Sequence, residues 1–388
     1  MCAIIVVLGD FMEKQKINII HYQMTNGGIE ISLVNFVNYF KDKYDIVVYT
    51  VEKGMRDDDL KCEVKTLLTE QETKMFKMPF KQIFKLGFGE FFKTFMFKIS
   101  NKLGLLSKKL SKRIDRQADI SLCYTAWDIP VDVAKRGFKS KTKMCLVHAD
   151  VEKAPLKAGV LKKLKNFNRI LCVSESCENH FKKSYPNLAS KAGYLYNMQN
   201  DELIIKKSKE FKVNYPNKFN MVSVSRLSPE KAHTRTLAVL KRLSDEGFDF
   251  VWNIVGDGEC RQQIESAVKN HGLDDKVVFY GNQLNPYPYI LPADLFVLGS
   301  LNEAAPMVFG EAMVLGVPVL STNTCSAKEL VAEKGFVCEN SEDAIYETLK
   351  QILSNKKLID EKKKLLKNYS YNNLKIEEHF KNLVDGEK

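Results

Sequence analysis

Two carboxylates and two cations in this chain are spaced as a charged, hydroxyl-rich small molecule would require. Glu303 and Glu311 bracket the run Ala304-Ala305-Pro306-Met307-Val308-Phe309-Gly310, which follows an apolar segment at 295–299. Pro306 has no amide donor, so it suits the first turn of a helix and not its interior. Glu303 is then expected in the loop above a strand, and Glu311 early in the next helix. The amides of Met307 and Val308 would point out of the helix start, where the dipole favours an anion. Carboxylates accept from sugar or ribose hydroxyls, and one extended ligand can satisfy both. By spacing alone the pair also reads as two surface glutamates. Arg226 and Lys231, in Arg226-Leu227-Ser228-Pro229-Glu230-Lys231, follow another apolar run. They could neutralise a diphosphate as a leaving group forms; a solvated basic loop would look the same.

Weaker signals accompany these. Gly256-Asp257-Gly258 ends a strand-like run and permits close backbone approach. Asn285-Pro286-Tyr287-Pro288-Tyr289 offers rings and rigid backbone, for a nucleobase or for plain packing. Gly27-Gly28, with Glu30 after it, opens a helix and makes a second turn that could face phosphate. His148 ends another strand-like run, before Ala149-Asp150. A histidine there is often structural.

The elements that must position these residues alternate regularly. Strands are expected at 17–21 and 45–50, with a helix between them presenting Ile31, Val34, Val37 and Phe40 on one face. Further strands are expected at 120–124, 143–148 and 169–174, the last leading into a helix start at 174–178. A turn-rich stretch at 184–200 breaks the pattern, and a domain boundary is placed near Asn197. Beyond it come strands at 220–224, 250–255, 277–281, 295–299 and 317–321. The helices expected there are 232–246, 259–271 and 307–315, with a charged helical region at 342–381. Such alternation predicts an α/β protein of two Rossmann-like, doubly wound parallel-sheet domains facing a cleft, with ligands at the carboxyl ends of strands. The expected domains are 1–197, 198–370 and a terminal helix at 371–388 that packs back on the first. No internal repeat is visible.

Length and composition agree. At 388 residues, 45% hydrophobic and 28% charged, the chain can bury two cores and is not a disordered sequence. Nine cysteines form no CxxC pair and several sit in apolar runs, so buried reduced thiols are expected and no zinc ligand cluster. The apolar run at 3–8 is too short to cross a bilayer and lacks the flanks of a signal peptide. Cytoplasmic residence is the expectation.

The net charge of +11 is concentrated. Residues 74–116 hold twelve Lys or Arg against Glu90 and Asp115, a net +10. Phe76, Phe80, Phe84, Phe88, Phe91 and Phe95 recur there at spacings of four and three, predicting an aromatic helical stripe opposite a basic face. That pattern suits an interfacial helix on anionic lipid at the inner face of the membrane. An amphipathic helix packed on its own domain is the plainer alternative. No nucleic-acid reader motif accompanies the charge, so nucleic acid is not an expected partner.

Taken together, these motifs resemble those of the retaining GT-B glycosyltransferases of family 4. The resemblance rests on Glu303-x7-Glu311, Arg226–Lys231, Gly256-Asp257-Gly258, Asn285–Tyr289 and Ala293-Asp294-Leu295 in order, and more loosely on Gly27-Gly28-x-Glu30, His148-x-Asp150 and 173–176. It implies transfer of a sugar from a nucleotide-sugar, UDP favoured, to a glycan or lipid-linked glycan in cell-surface polysaccharide synthesis, with retained anomeric configuration. It further implies that Glu303 holds the donor sugar's hydroxyls, Glu311 the ribose, and Arg226 with Lys231 the diphosphate. His148 would lie against the transferred sugar and Gly28 near the phosphates. No metal or other cofactor is implied. Ala304-Ala305 stands where the family often has glycine, which leaves the sugar preference open. A nucleotide-sugar epimerase on the same fold and a non-catalytic nucleotide-sugar or glycan binder are the competing functions.

Overall fold

The structure, a computed structural model, describes residues 14–115 and 117–386. Cys2, the apolar run at 3–8, Glu13 and Arg116 lie outside the described residues.

Two parallel sheets form the framework. The strands of the first are β1 (Lys16–His21), β2 (Asp45–Thr50), β3 (Glu63–Thr66), β4 (Ile120–Cys123), β5 (Thr142–Val147), β6 (Arg169–Cys172) and β7 (Ala192–Tyr194), in spatial order β3-β2-β1-β4-β5-β6-β7. The second holds β8 (Phe219–Val224), β9 (Phe250–Val255), β10 (Val277–Gly281), β11 (Leu295–Leu298), β12 (Val319–Thr322) and β13 (Phe336–Cys338), ordered β10-β9-β8-β11-β12-β13. The central strands are buried along their length, as β9 is at every residue. This is why they read as continuous apolar runs. Two clusters, one around Trp252 and Leu240 and one around Phe296 and Phe309, make up the second sheet's core.

The expected α/β class with two parallel sheets is observed, with local differences. β3, β7 and β13 are short strands hidden in polar or turn-rich sequence. The helix expected from residue 174 starts at Glu175, and Ser174 caps it by accepting from the Cys177 amide. The single helical region expected at 342–381 is three helices, Glu342–Ser354, Lys357–Leu366 and Asn373–Asp385. In the last of these, His379 stacks on Tyr194 of β7 with ring centroids 4.4 Å apart.

Close contacts divide the described chain into two compact units. The first comprises residues 14–25, 36–145 and 162–168; the second comprises 26–35, 146–161 and 169–386.

The single aromatic stripe expected in the basic segment is not observed. Pro79 and Gly87 interrupt it, leaving helices Glu70–Lys77, Phe80–Ile83 and Phe88–Lys102. Phe80 meets Phe95 at 6.2 Å, and Phe84 meets Phe91 at 5.6 Å. Met75, Ile83 and Thr94 face inward, while Phe80, Phe84, Phe88 and Phe92 stay exposed. Part of the positive charge is used internally. Glu72, buried and in a capping box with Thr69, takes Lys109 and Arg113 at 2.6 Å each. Burial would raise that carboxyl, but hydrogen bonds from Arg113 and Lys109 outweigh it and hold it at about 2.

Candidate functional site

The second sheet reverses its direction of growth between the neighbours β8 and β11. Loops leaving two such strands diverge and open a crevice at their carboxyl ends. The loop after β8 carries Arg226 and Lys231; the loop after β11 carries Glu303. Leu301 donates its amide to the Glu230 carbonyl at 2.8 Å and joins the two loops. Thr322 donates to the Ser300 carbonyl at 2.6 Å, and Arg235 to that of Gly299 at 2.6 Å, so the Glu303 loop is anchored from below.

Lys231 meets Glu303 at 2.5 Å, and Ser300 donates its hydroxyl to the same carboxylate oxygen at 2.6 Å. Both charged side chains are largely sheltered, at 18% and 10% exposure. Arg226, by contrast, is exposed and 3.6 Å from Glu230. Burial alone would raise the Glu230 carboxyl. The Ser228 hydroxyl at 2.6 Å, its own amide and the charges of Arg226 and Lys231 outweigh that and lower it. Next along the chain, Ala232 sits at φ 51° and turns the backbone into helix His233–Asp245. Burial, then the Lys231 charge, pushes the His233 imidazole down to about 4.

Pro306 is the N-cap of helix Met307–Val314, one position before the first turn where it was expected. Met307 and Val308 provide the first amides, which have no acceptor within the helix. Glu311 is buried on this helix, 3.5 Å from the Tyr287 hydroxyl. Gly310, within the same motif, makes room for a neighbour: a Cβ there would come within 2.7 Å of the Gln199 amide nitrogen. That amide donates to the Met307 carbonyl at 2.9 Å. Asn197 donates to the Ala305 carbonyl at 3.2 Å and accepts from Ser32 at 2.8 Å. Gly28 thereby comes against Met307, whose Cγ would lie 3.7 Å from a Cβ at that glycine. Two helix starts, distant in sequence, are brought together.

At Gly256 and Gly258 the close backbone approach is to protein. A Cβ on Gly256, at φ 139°, would lie 1.9 Å from the Ser225 carbonyl oxygen, and one on Gly258 would lie 2.4 Å from that of Leu227. The close approach is to the Arg226 loop itself, held by Leu227 N–H to Asp257 O at 2.9 Å. Asn285 likewise spends its amide on the Lys207 carbonyl at 2.9 Å and on Glu210 at 2.8 Å. His148 lies half-buried just past β5.

Sequence reading missed Asn197, Gln199 and Glu329. Glu329 caps helix Glu175–Ser184, accepting the Glu175 and Ser176 amides at 3.0 Å each and the Tyr196 hydroxyl. None of the three belongs to a local motif, so only the folded chain exposes them.

Residues 205–373 match the family described as Glycosyl transferases group 1. An uncharacterised glycosyltransferase of Methanocaldococcus jannaschii is 27% identical over 152 residues, 38% of this chain and 36% of that protein. The match therefore spans only about a third of that relative's length. N-acetylgalactosamine-N,N'-diacetylbacillosaminyl-diphospho-undecaprenol 4-alpha-N-acetylgalactosaminyltransferase of Campylobacter jejuni is 23% identical over 89% of this chain and 92% of its own. Among solved structures, HepE of Anabaena in complex with UDP and glucose superposes with a TM-score of 0.72 at 16% identity, covering 96% of this chain and 99% of that one. The fold is that of the GT-B glycosyltransferases.

Proposed function

We propose that this glycosyltransferase moves a sugar from a nucleotide-sugar, UDP favoured, to a glycan or lipid-linked glycan in cell-surface polysaccharide synthesis. The observation that carries the proposal is the sheltered Lys231–Glu303 contact at the β8/β11 switch point, beside the Met307 helix start. Lys231 and Arg226 supply positive charge for the diphosphate. Glu303 and Glu311 accept sugar and ribose hydroxyls, and the Gly28 turn and the amides of Met307 and Val308 approach the phosphates. His148 would lie against the transferred sugar. The Campylobacter relative's lipid-linked acceptor and the UDP bound to HepE support the choice of substrates.

In the retaining reaction, the bond from the anomeric carbon to the phosphate oxygen breaks and the bond to the acceptor oxygen forms on the same face. The acceptor's proton passes to the departing phosphate. Cationic side chains and helix amides bear the growing negative charge, the role a metal ion would otherwise fill. Turnover of a panel of nucleotide-sugars, with and without lipid-linked acceptor, tests the reading. Donor loss that requires acceptor supports transfer. Loss without acceptor points to an epimerase, and binding without turnover to a non-catalytic binder.

The exposed Phe80, Phe84, Phe88 and Phe92 amid the lysines of 74–115 support a peripheral attachment to anionic membrane, where each cation contributes roughly 1 kcal/mol. Among the described residues no helix is long and apolar enough to cross a membrane. Flotation with anionic vesicles at physiological salt is expected to carry the protein. Wild type and a lysine-stripped segment both staying behind would refute the attachment.

A further inference from the structure

Away from the carboxylate pair, and against the expectation from cysteine spacing of no zinc ligand cluster, three metal-ligating side chains from distant parts of the sequence converge, with Cys177 beside them. His180 Nδ1 lies 2.8 Å from Asp150 Oδ1 and 3.4 Å from Cys325 Sγ. Cys325 Sγ is in turn 3.4 Å from Cys177 Sγ. The ligand atoms of Asp150, His180 and Cys325 all fall within 4.8 Å of one another. Cys177 and Asp150 are buried, and Cys325 is half-buried.

We propose that Asp150, Cys177, His180 and Cys325 form a tetrahedral site for a thiophilic divalent cation, with zinc the best fit. Two sulfurs, an imidazole nitrogen and a carboxylate oxygen are a soft, mixed set that suits zinc, whereas magnesium and calcium take oxygen alone. Ligand atoms about 2.0–2.3 Å from a tetrahedral zinc lie about 3.3–3.8 Å apart. The two 3.4 Å separations fall in that range and the 2.8 Å pair needs a small opening, while Cys177, which touches Cys325 but stands outside the three mutually close ligands, must turn inward to complete the tetrahedron. Cys177 and His180 are three residues apart on helix Glu175–Ser184, which puts them on one face.

The surroundings have the form a metal-binding histidine requires. His180 turns Nδ1 toward the cluster and Nε2 toward Glu152, 3.6 Å away. A carboxylate behind the ring fixes its tautomer and orientation. Asp150 is oriented as well, accepting the Glu152 amide at 3.2 Å. Charge agrees: two thiolates and one carboxylate carry three negative charges, and a divalent cation leaves one. On binding, two S–H bonds break, two metal–sulfur bonds form and two protons pass to solvent. Cys177 now donates to the Ala304 carbonyl at 3.5 Å, so the cluster adjoins the loop that carries Glu303.

The test uses the full chain, reduced and stripped with chelator, titrated with cobalt(II) alone and then with zinc. One equivalent of cobalt is expected to bind, with the visible bands of tetrahedral geometry and a thiolate charge-transfer band in the near ultraviolet. Zinc is expected to displace it. Cys325→Ser and His180→Ala are expected to weaken cobalt binding at least tenfold, while Cys260→Ser leaves it unchanged. Because a variant could misfold, each is also melted without metal. Cys325→Ser should melt like wild type in chelator but lose the upward shift that zinc gives the wild type. No cobalt bands, or equal cobalt affinity in wild type and folded Cys325→Ser, would overturn the proposal. So would a Cys177–Cys325 disulfide forming in air in place of metal uptake.

Discussion

Replacing Lys231 by methionine tests the candidate site most directly. The side chain is one atom shorter, stays unbranched and loses its charge. Exposed ion pairs contribute about 1 kcal/mol or less, whereas breaking a buried pair from one side costs about 3–5 kcal/mol because the other charge is stranded. Exposures of 18% for Lys231 and 10% for Glu303 put this half-buried pair between the two, nearer the second. The Ser300 hydroxyl still serves Glu303 at 2.6 Å, so the lower end applies, about 3 kcal/mol. Glu303→Gln retains an acceptor for Ser300 and is expected to cost about 1–2 kcal/mol. The double variant should cost less than the two summed, by about 1–3 kcal/mol, as groups in direct contact do. Urea unfolding gives these values. If Lys231 also meets the leaving diphosphate, transfer by either folded variant should fall by about 10²-fold or more. Additive stabilities would refute the pairing, and near-normal transfer would refute the functional assignment while leaving the pairing intact.

Three further outcomes are expected. Glu72 is held at about 2 against an ordinary 4.5, so its ion pairs, partly screened by solvent at Lys109 and Arg113, contribute on the order of 1–2 kcal/mol above pH 4.5, lost as pH falls toward 2. Urea midpoints measured between pH 5 and pH 2 should therefore drop less steeply in Glu72→Gln than in wild type. Ala232→Gly relieves a left-handed backbone at φ 51° and should stabilise by about 0.5 kcal/mol, seen as a raised melting temperature; a lowered one would contradict the strain. Gly256→Ala must displace the Ser225 carbonyl and should cost about 3 kcal/mol or more in urea unfolding, with or without nucleotide present.

How much of this was legible without the fold follows from the range of the interactions. Alternating apolar runs and turn residues foretold the long strands, because a strand buried on both faces must be apolar along its length. They missed β3, with its exposed Glu63 and Lys65, and β7, whose residues are only half-buried. Those strands are held by pairing with a neighbour and not by their own composition. The aromatic spacing at 76–95 implied one helix. Proline at 79 and glycine at 87 broke it, and the rings then met across separate helices.

By itself, the sequence determined the parallel α/β class and the local frame of each candidate: Glu303 in a loop, Pro306 at a helix start, Arg226 and Lys231 after a strand. These depend on neighbours within a few residues, where backbone propensity and the missing proline amide act. Tertiary structure alone decided which of them meet. Strand order put the Lys231 loop beside the Glu303 loop, and packing turned Gly256 and Gly258 toward backbone. The fold also carried Cys325 to Cys177 across 148 positions. No spacing rule reaches that far, because such contacts come from sheet order and helix packing, which the whole chain sets at once.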